Sequence, residues 1–568
     1  MDTRIQTTAA DSTMEEVSGG DHGYPIGEAN CDRYMIVPHG YGEGDSGQVW
    51  VAEFNDPQPA PAAHSGAAVS SERYWLRVEP VDGAAANLAR EATRRDIPLT
   101  LDRSAPGVAF TLVTLALLPD VRYRLSLWRQ QESPLQLAHA ECRGRPRTLE
   151  GGFNVWYGTC FYGEADGGAL REAIEALPAA HRPQVSFLGG DQVYLDTAFS
   201  NTGWGARFIP GFSSRNFSPL GFRSRTTIRR RLNAVFTTEY LRNWRRGLRA
   251  KLQQGFHYFL AGDHEFWNDF PNRPGFLPTL WSRKVRDEWQ SCARELFDAY
   301  QLPSGALSSQ FDVANALKFF VLDTRLQRAP GRDANFTDTQ TFAAATTWLR
   351  ALDRPGVLVL PAPLLTRWQF RDGRRLKSLQ VKWGWGDHSL ADTGQYQDLV
   401  RAIRDCSQDL LILAGDVHFS RLARFDLGGK LVVEVVSSPL ACLPSAAAEA
   451  DQTLAEFPDR PTDHIRAEVE YLQAGSAIGK GVGRVAKSCN NNFVTLRFEP
   501  GAVDGDVRVQ VVCWNITGCD AQRAPSVDWE TQDLVLRKRP AVTSTVAAPT
   551  ARKDPATQIK ELSEPCES

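Results

Sequence analysis

The sequence predicts an α/β body preceded by a smaller β-rich unit, and three observations carry that prediction. Residues 31–147 hold short alternating or β-branched apolar runs, separated by loops rich in Ala, Gly, Pro and Ser. From residue 150 onward the pattern becomes short apolar runs ending in glycine, with an amphipathic segment between the first two. Finally, "GGDQVYLD" (189–196), "AGDHEFWNDF" (261–270) and "LILAGDVHFS" (411–420) repeat one device: small and apolar residues, a glycine turn, then an aspartate. Gly-Asp is ordinary turn chemistry and recurs by chance. Three strands that end at one place and hold metal would also repeat it.

Within 31–147, "RYWLRVEPV", "GVAFTLVTLALL" and "RYRLSLWRQ" read as strands of a small β-sandwich. "FNVWYGTC" (153–160) and "QVSFLGGD" (184–191) flank the amphipathic helix "GGALREAIEALPAA", which makes a βαβ unit with neighbouring parallel strands. "FHYFLAGD", "ALKFFVLDTR", "GVLVLPAP", "DLLILAGD" and "KLVVEVVSSP" continue the buried strands. Ligands of open α/β sheets bind outside the carboxyl ends of strands, so the polar residues after these runs should converge. Residues 202–253 interrupt the series with eleven arginines and one lysine against a single acid, Glu239. This basic insertion reads either as a solvated or interdomain helix or as an electropositive wall for an anionic substrate. Residues 446–490 read as a second insertion, with "DHIRAEVEYLQAG" (463–475) helical. "NNFVTLRFEP" and "DVRVQVVCWNI" then form a closing β-hairpin within 446–540. Residues 1–30 and 541–568 read as disordered tails.

A chain of 568 residues is too long for one core. Its 42% apolar and 23% charged composition is that of a soluble globular protein, and a net charge of −3 argues against bulk nucleic-acid binding or membrane coating. No apolar run reaches about 18 residues, and the N-terminus lacks the basic start and apolar core of an export signal, so a cytoplasmic location is expected. Ten scattered cysteines without a CxxC pair suggest buried thiols rather than a disulfide scaffold.

Asp191, Asp263 and Asp416 each stand at a predicted strand end beside glycine, with His264 and His418 close by. Hard cations take carboxylate oxygens, and sites for iron, manganese or zinc add imidazole. The pattern therefore points to a metal centre. Two cations about 3.5–4 Å apart, bridged by an aspartate, suit phosphoryl transfer to water.

Six stretches in order then resemble the calcineurin-like metallophosphoesterase superfamily, and within it the alkaline phosphatase D (PhoD-like) branch. They are "VWYGTC", "GDQVYLD", "AGDHEFWNDF", "FFVLDTR" (319–325), "AGDVHFS" and "VVSSPL" (435–440), spread over 150–445. The resemblance implies an αββα sandwich over 148–445, carrying the basic insertion, behind an N-terminal β-sandwich domain. It implies two or more metal ions. Cys160 as thiolate and Tyr194 as phenolate would ligate ferric iron, Asp191 would bridge, and Asp263 would bind a second metal such as calcium, manganese, magnesium or zinc. Asp416 and His418 would complete the shell, with neither assigned to one metal. His264 would face the substrate and Arg325 would clamp phosphate oxygens, unless Arg325 is a structural ion pair with Asp323. Cys160 keeps the reading of a plain core cysteine. His388, in "KWGWGDHSLADTGQY", is a candidate for a further ligand or an ordinary loop histidine. The implied activity is hydrolysis of small phosphate monoesters or diesters by metal-bound hydroxide. The alternatives are a non-catalytic module of the same fold that binds a phosphorylated ligand or protein, and a nucleic-acid phosphodiesterase resting on the Arg-rich insertion.

Overall fold

The computed structural model describes residues 32–55, 73–81, 94–130, 134–197, 219–273, 277–331, 334–366, 389–441, 456–459, 463–474, 477–478 and 490–540. Both expected tails, residues 202–218 of the basic insertion, and His388 lie outside the described residues.

Seven strands come first: β1 (Tyr34–Tyr41), β2 (Ser46–Phe54), β3 (Tyr74–Pro80), β4 (Arg95–Leu99), β5 (Val108–Ala116), β6 (Arg122–Arg129) and β7 (Leu135–Arg143). They pair as two antiparallel sheets, β1-β2-β5 and β4-β3-β6-β7. Period-2 patterning selects this conformation: Tyr74, Leu76 and Val78 are buried while Trp75 and Arg77 are only half-buried.

The remaining strands are β8 (Phe153–Gly158), β9 (Val185–Leu188), β10 (Phe256–Phe259), β11 (Ser308–Val313), β12 (Leu317–Leu322), β13 (Gly356–Val359), β14 (Leu410–Ala414), β15 (Ser420–Asp426), β16 (Leu431–Val436), β17 (Glu456–Asp459), β18 (Asp463–Ala474), β19 (Ala477–Ile478), β20 (Asn492–Pro500), β21 (Val507–Asn515) and β22 (Ser526–Leu536). One sheet runs β10-β9-β8-β20-β21-β22, with β8, β9 and β10 parallel and β20 antiparallel to β8. The other runs β11-β12-β13-β14-β16-β15-β18-β17, and β12, β13, β14 and β16 are parallel. Val155, Tyr157 and Phe187 of the first sheet share a core with Val357, Val359, Leu411 and Leu413 of the second. The alternate residue Trp156 instead joins a cluster with Ile228, Leu232, Trp289 and Phe297 from the helices Arg225–Arg242 and Arg283–Tyr300. Leu358 and Ile412 likewise turn toward the helices Thr339–Arg350 and Tyr396–Asp405.

One expectation is overturned. Residues 463–474 are not a helix but β18, antiparallel to β15. Ile465 and Ala467 are buried while Arg466 and Glu468 are exposed, and Val469 and Tyr471 continue the half-buried side. That strict period of two beats the helix propensity of its Ala, Glu and Leu. A third strand, β22, also extends the predicted closing hairpin.

The described part of the basic insertion is chiefly the helix Arg225–Arg242, capped by Ser224 and buried along Ile228, Leu232, Phe236 and Tyr240. Arg225 reaches Glu288 (2.8 Å) and Asp287 (3.4 Å), Arg229 pairs with Glu295, Arg242 with Glu164 (2.7 Å), and Arg245 with Asp32 (3.0 Å). These four arginines therefore make contacts between elements.

A buried ion pair ties β15 to β16. Arg421 Nη2 donates to Glu434 Oε2 at 2.6 Å with both side chains shut off from solvent, and Glu434 also accepts from the Leu364 and Leu365 N–H groups. Arg421→Met strands that carboxylate and is expected to cost about 3–5 kcal/mol in urea unfolding. The Arg421→Met/Glu434→Gln pair should recover part of this.

Candidate metal centre

The three aspartates lie past the carboxyl ends of β9, β10 and β14, in the turns that follow "FLGGD", "FLAGD" and "ILAGD". Backbone geometry there is unusual. Cys160, Asp191, Asp416 and His418 all adopt positive φ, at 60°, 58°, 73° and 55°. They are half of the eight non-glycine residues that do so among the described residues. Left-handed backbone costs of order 1 kcal/mol or more per residue and persists where the surroundings enforce it, commonly at functional sites. Glycine makes the close approach feasible: a Cβ on Gly262 would sit 2.0 Å from Asp191 Oδ1.

Two groups of donor atoms result. Cys160, Asp191 and Asp416 form one, and Asp191, Asp263 and His264 form the other, with the donor atoms of each group within 4.8 Å of one another. Asp191 belongs to both. It is almost completely buried and accepts from the His264 N–H (3.0 Å) and the Cys160 thiol (3.6 Å). Burial, reinforced by Asp263, pushes its carboxyl well above the ordinary range. Burial and then the charges of Asp191 and Asp416 push the Cys160 thiol up as well. Acids crowded this way, with a thiol among them, fit cations: a bound positive charge would restore carboxylate and thiolate together.

Tyr194 packs its ring 4.2 Å from that of His264. His418 sits after β14, and its N–H donates to Ser438 Oγ (3.2 Å), while Ser438 Oγ donates to Cys160 Sγ (3.2 Å). Asp323 accepts the Ala261, Arg325 and Leu326 N–H groups and feels the Arg325 charge, and the guanidinium reaches Phe270 O (2.9 Å) and Asp416 Oδ2 (3.3 Å).

Three contributors escape a reading of the sequence. Asp196 lies 2.9 Å and 3.0 Å from His264 Nδ1 through its two oxygens and accepts the Asn268 N–H. Burial would lower the His264 imidazole, but Asp196, Asp263 and Asp191 raise it well above its usual value. Glu265 accepts the N–H groups of Asp191, Gln192 and Gly262, which holds the two Gly-Asp turns together. Burial raises its carboxyl to about 7 against those three bonds. Ser438 links Cys160 to the His418 turn. The available signals were the second acid of "GGDQVYLD", the glutamate of "GDHE" and the paired serines of "VVSSPL".

A cavity of about 700 Å³ lies elsewhere, lined by Asn154, Gln184 and Gly255 at the amino ends of β8, β9 and β10. It is at the wrong end of the strands to belong to this centre. Among the described residues no helix is long and apolar enough to cross a membrane.

No family model and no curated protein matches the chain. A solved structure of PhoD aligns over 91% of this chain and 93% of its own, with a TM-score of 0.58 and 14% identity. GAP50, the anchor in the inner membrane complex of Plasmodium, aligns over 68% of this chain and 90% of its own at 8% identity, but a TM-score of 0.30 carries no argument. The chain has a PhoD-like fold, a mixed α/β architecture with several multi-stranded sheets.

Proposed function

We propose that this protein is a metal-dependent phosphoric ester hydrolase acting on small phosphate monoesters or diesters. The observation that carries the reading is the membership of Asp191 in two adjacent donor groups, as a ligand bridging two cations would require. The PhoD-like fold supports it. So does the way alternate strand residues turn to a shared core or to flanking helices, which favours an αββα sandwich over 148–445 behind a β-sandwich at 31–147.

In this reading Cys160, Asp191 and Tyr194 hold a first cation, and Asp263 with Asp191 holds a second. Asp416 and His418 complete the shell. The thiolate and phenolate suit ferric iron, and the carboxylates suit calcium, manganese, magnesium or zinc. When bound, the cations supply Lewis acidity to the phosphoryl group and acidify the attacking water. The chain's own residues do the rest. Asp196 fixes the His264 ring by its Nδ1 and favours the protonated imidazole, which gives a proton to the departing alkoxide from its other nitrogen. Arg325 holds Asp416 in place and brings positive charge to the same side as the ligands.

Metal analysis with a visible spectrum, on the full chain and on Tyr194→Phe, tests this. Iron near one equivalent, a charge-transfer band lost in the variant, and hydrolysis of a chromogenic phosphate ester are the expected results. A colourless chain that takes up no iron, manganese, zinc or calcium would overturn the assignment.

A further inference from the structure

Two neighbouring turns carry the exposed aromatic side chains among the described residues. Phe222 ends the turn Pro219–Phe222 and is 93% exposed, and Trp281 ends the turn Pro278–Trp281 and is 61% exposed. The turns touch. A Cβ on Gly221 would lie 3.4 Å from Ser282 Cβ, and Lys284 Nζ donates to the Arg223 carbonyl at 2.7 Å. Leu220 and Leu280, on the same two turns, are buried in the core cluster. The turns are therefore anchored from below while both rings point away from the core.

Cations surround this knob. Arg223 and Arg283 are exposed beside the rings. Arg286 Nη1 donates to the Leu280 and Trp281 carbonyls (2.7 Å and 3.0 Å), which keeps its charge at the base of the indole. Burial, then the like charges of Arg273 and Arg283, lower the Arg286 guanidinium against the pull of Asp287. The nearby acids Asp287 and Glu288 are already bonded by Arg225. Arg223, Arg225, Arg273, Arg283, Lys284 and Arg286 thus outnumber these two acids by four, in a chain whose net charge is −3. The charge of the whole chain opposes coating of a membrane, but the knob carries the opposite sign.

Single exposed apolar side chains are ordinary, whereas two large rings on one anchored, cation-ringed knob mark an interaction surface. A ring that stands almost clear of the protein has no walls to enclose a nucleobase or a peptide side chain. A soft planar interface is the partner it can enter. Aromatic rings settle at the headgroup level of a bilayer, and neighbouring Lys and Arg are drawn to anionic lipid. We propose that this knob docks the protein on an anionic lipid surface, with Phe222 and Trp281 entering the headgroup layer and Arg223 and Arg283 meeting lipid anions. The helix Arg283–Tyr300, which starts just past Trp281, also holds the Phe266 carbonyl through Trp289 Nε1 (2.6 Å). The knob is thereby joined to the loop that carries Asp263 and His264, although docking does not depend on what the metal centre does.

Flotation of the full chain with phosphatidylcholine vesicles, with and without phosphatidylserine, tests this. Binding is expected with phosphatidylserine only, and it should weaken as salt rises. Phe222→Ser/Trp281→Ser should lower partitioning about tenfold or more, with the melting temperature unchanged because neither ring lies in the core. Arg223→Glu/Arg283→Glu should lower it by about tenfold as well. No binding to phosphatidylserine vesicles at low salt overturns the proposal, and so does binding that both double variants retain. A mass by light scattering that is twice the chain's in wild type and single in Phe222→Ser/Trp281→Ser would give the knob to a second copy instead. Binding of a single-stranded oligonucleotide, lost in that variant while vesicle binding persists, would give it to nucleic acid. Either result overturns the lipid assignment.

Discussion

Asp191→Asn is expected to lower turnover of a phosphate ester by about 10³-fold or more, and to strip cations from both donor groups at once. The basis is its double membership: the same carboxylate lies with Cys160 and Asp416 on one side and with Asp263 and His264 on the other. Substituting Asp263 should instead empty one group and leave the other loaded. Metal analysis of the two variants separates a shared ligand from an ordinary one. A second readout runs the opposite way. In the metal-free chain Asp191 is a buried acid whose ionised form is opposed by burial and by Asp263, so a neutral amide should raise the melting temperature of chelator-treated protein. With cations present, wild type should melt higher. Retention of two cations by Asp191→Asn would remove this residue from the bridging position.

His264→Gln is expected to reduce kcat by about 10²–10⁴-fold with cation content unchanged, because the imidazole is assigned to proton transfer. Asp196→Asn should fall in the same direction by less. It touches the reaction only through the Nδ1 contacts at 2.9 Å and 3.0 Å. Three carboxylates hold the His264 imidazole above its usual value, Asp196 foremost among them. Removing that charge lowers the folded-state pKa, so the basic limb of the kcat profile should move to lower pH in Asp196→Asn. A residue that merely stabilised the fold would lower activity without moving the limb. The double variant should be no worse than His264→Gln alone, as for residues that act as a unit. Loss of metal from His264→Gln would mark the ring as a ligand.

The strand ends were legible because hydrophobicity, glycine and acid fall within a few consecutive residues there. A turn that aims an aspartate off a sheet leaves its signature in one short window. Asp196 was illegible for the opposite reason: its partner, His264, is 68 residues away, and nothing local marks a contact across two loops. Glu265 stood in plain view in "GDHE", yet its work is to collect three backbone N–H groups from two turns, which only the assembled sheet reveals. The misread stretch at 463–475 teaches a narrower lesson. Residues 465–471 alternate apolar and polar without a break, and that period deserved more weight than the helix-forming character of the individual side chains.

The pairing of β8 with β20 has a consequence for how the molecule is made. The strand that leads into Cys160 is flanked by β9 on one side and, on the other, by a strand that begins only at Asn492. While the ribosome works through more than half of the chain, that edge of β8 exposes unpaired N–H and C=O groups. Pairings so distant in sequence form late. The nascent chain therefore passes through a long interval in which its central strand is open to a wrong partner. His418, too, emerges long after Cys160 and Asp191, so the complete set of proposed ligands exists only once most of the polypeptide has been released. Metal selection, on this assignment, belongs to the finished protein and to whatever compartment it then occupies.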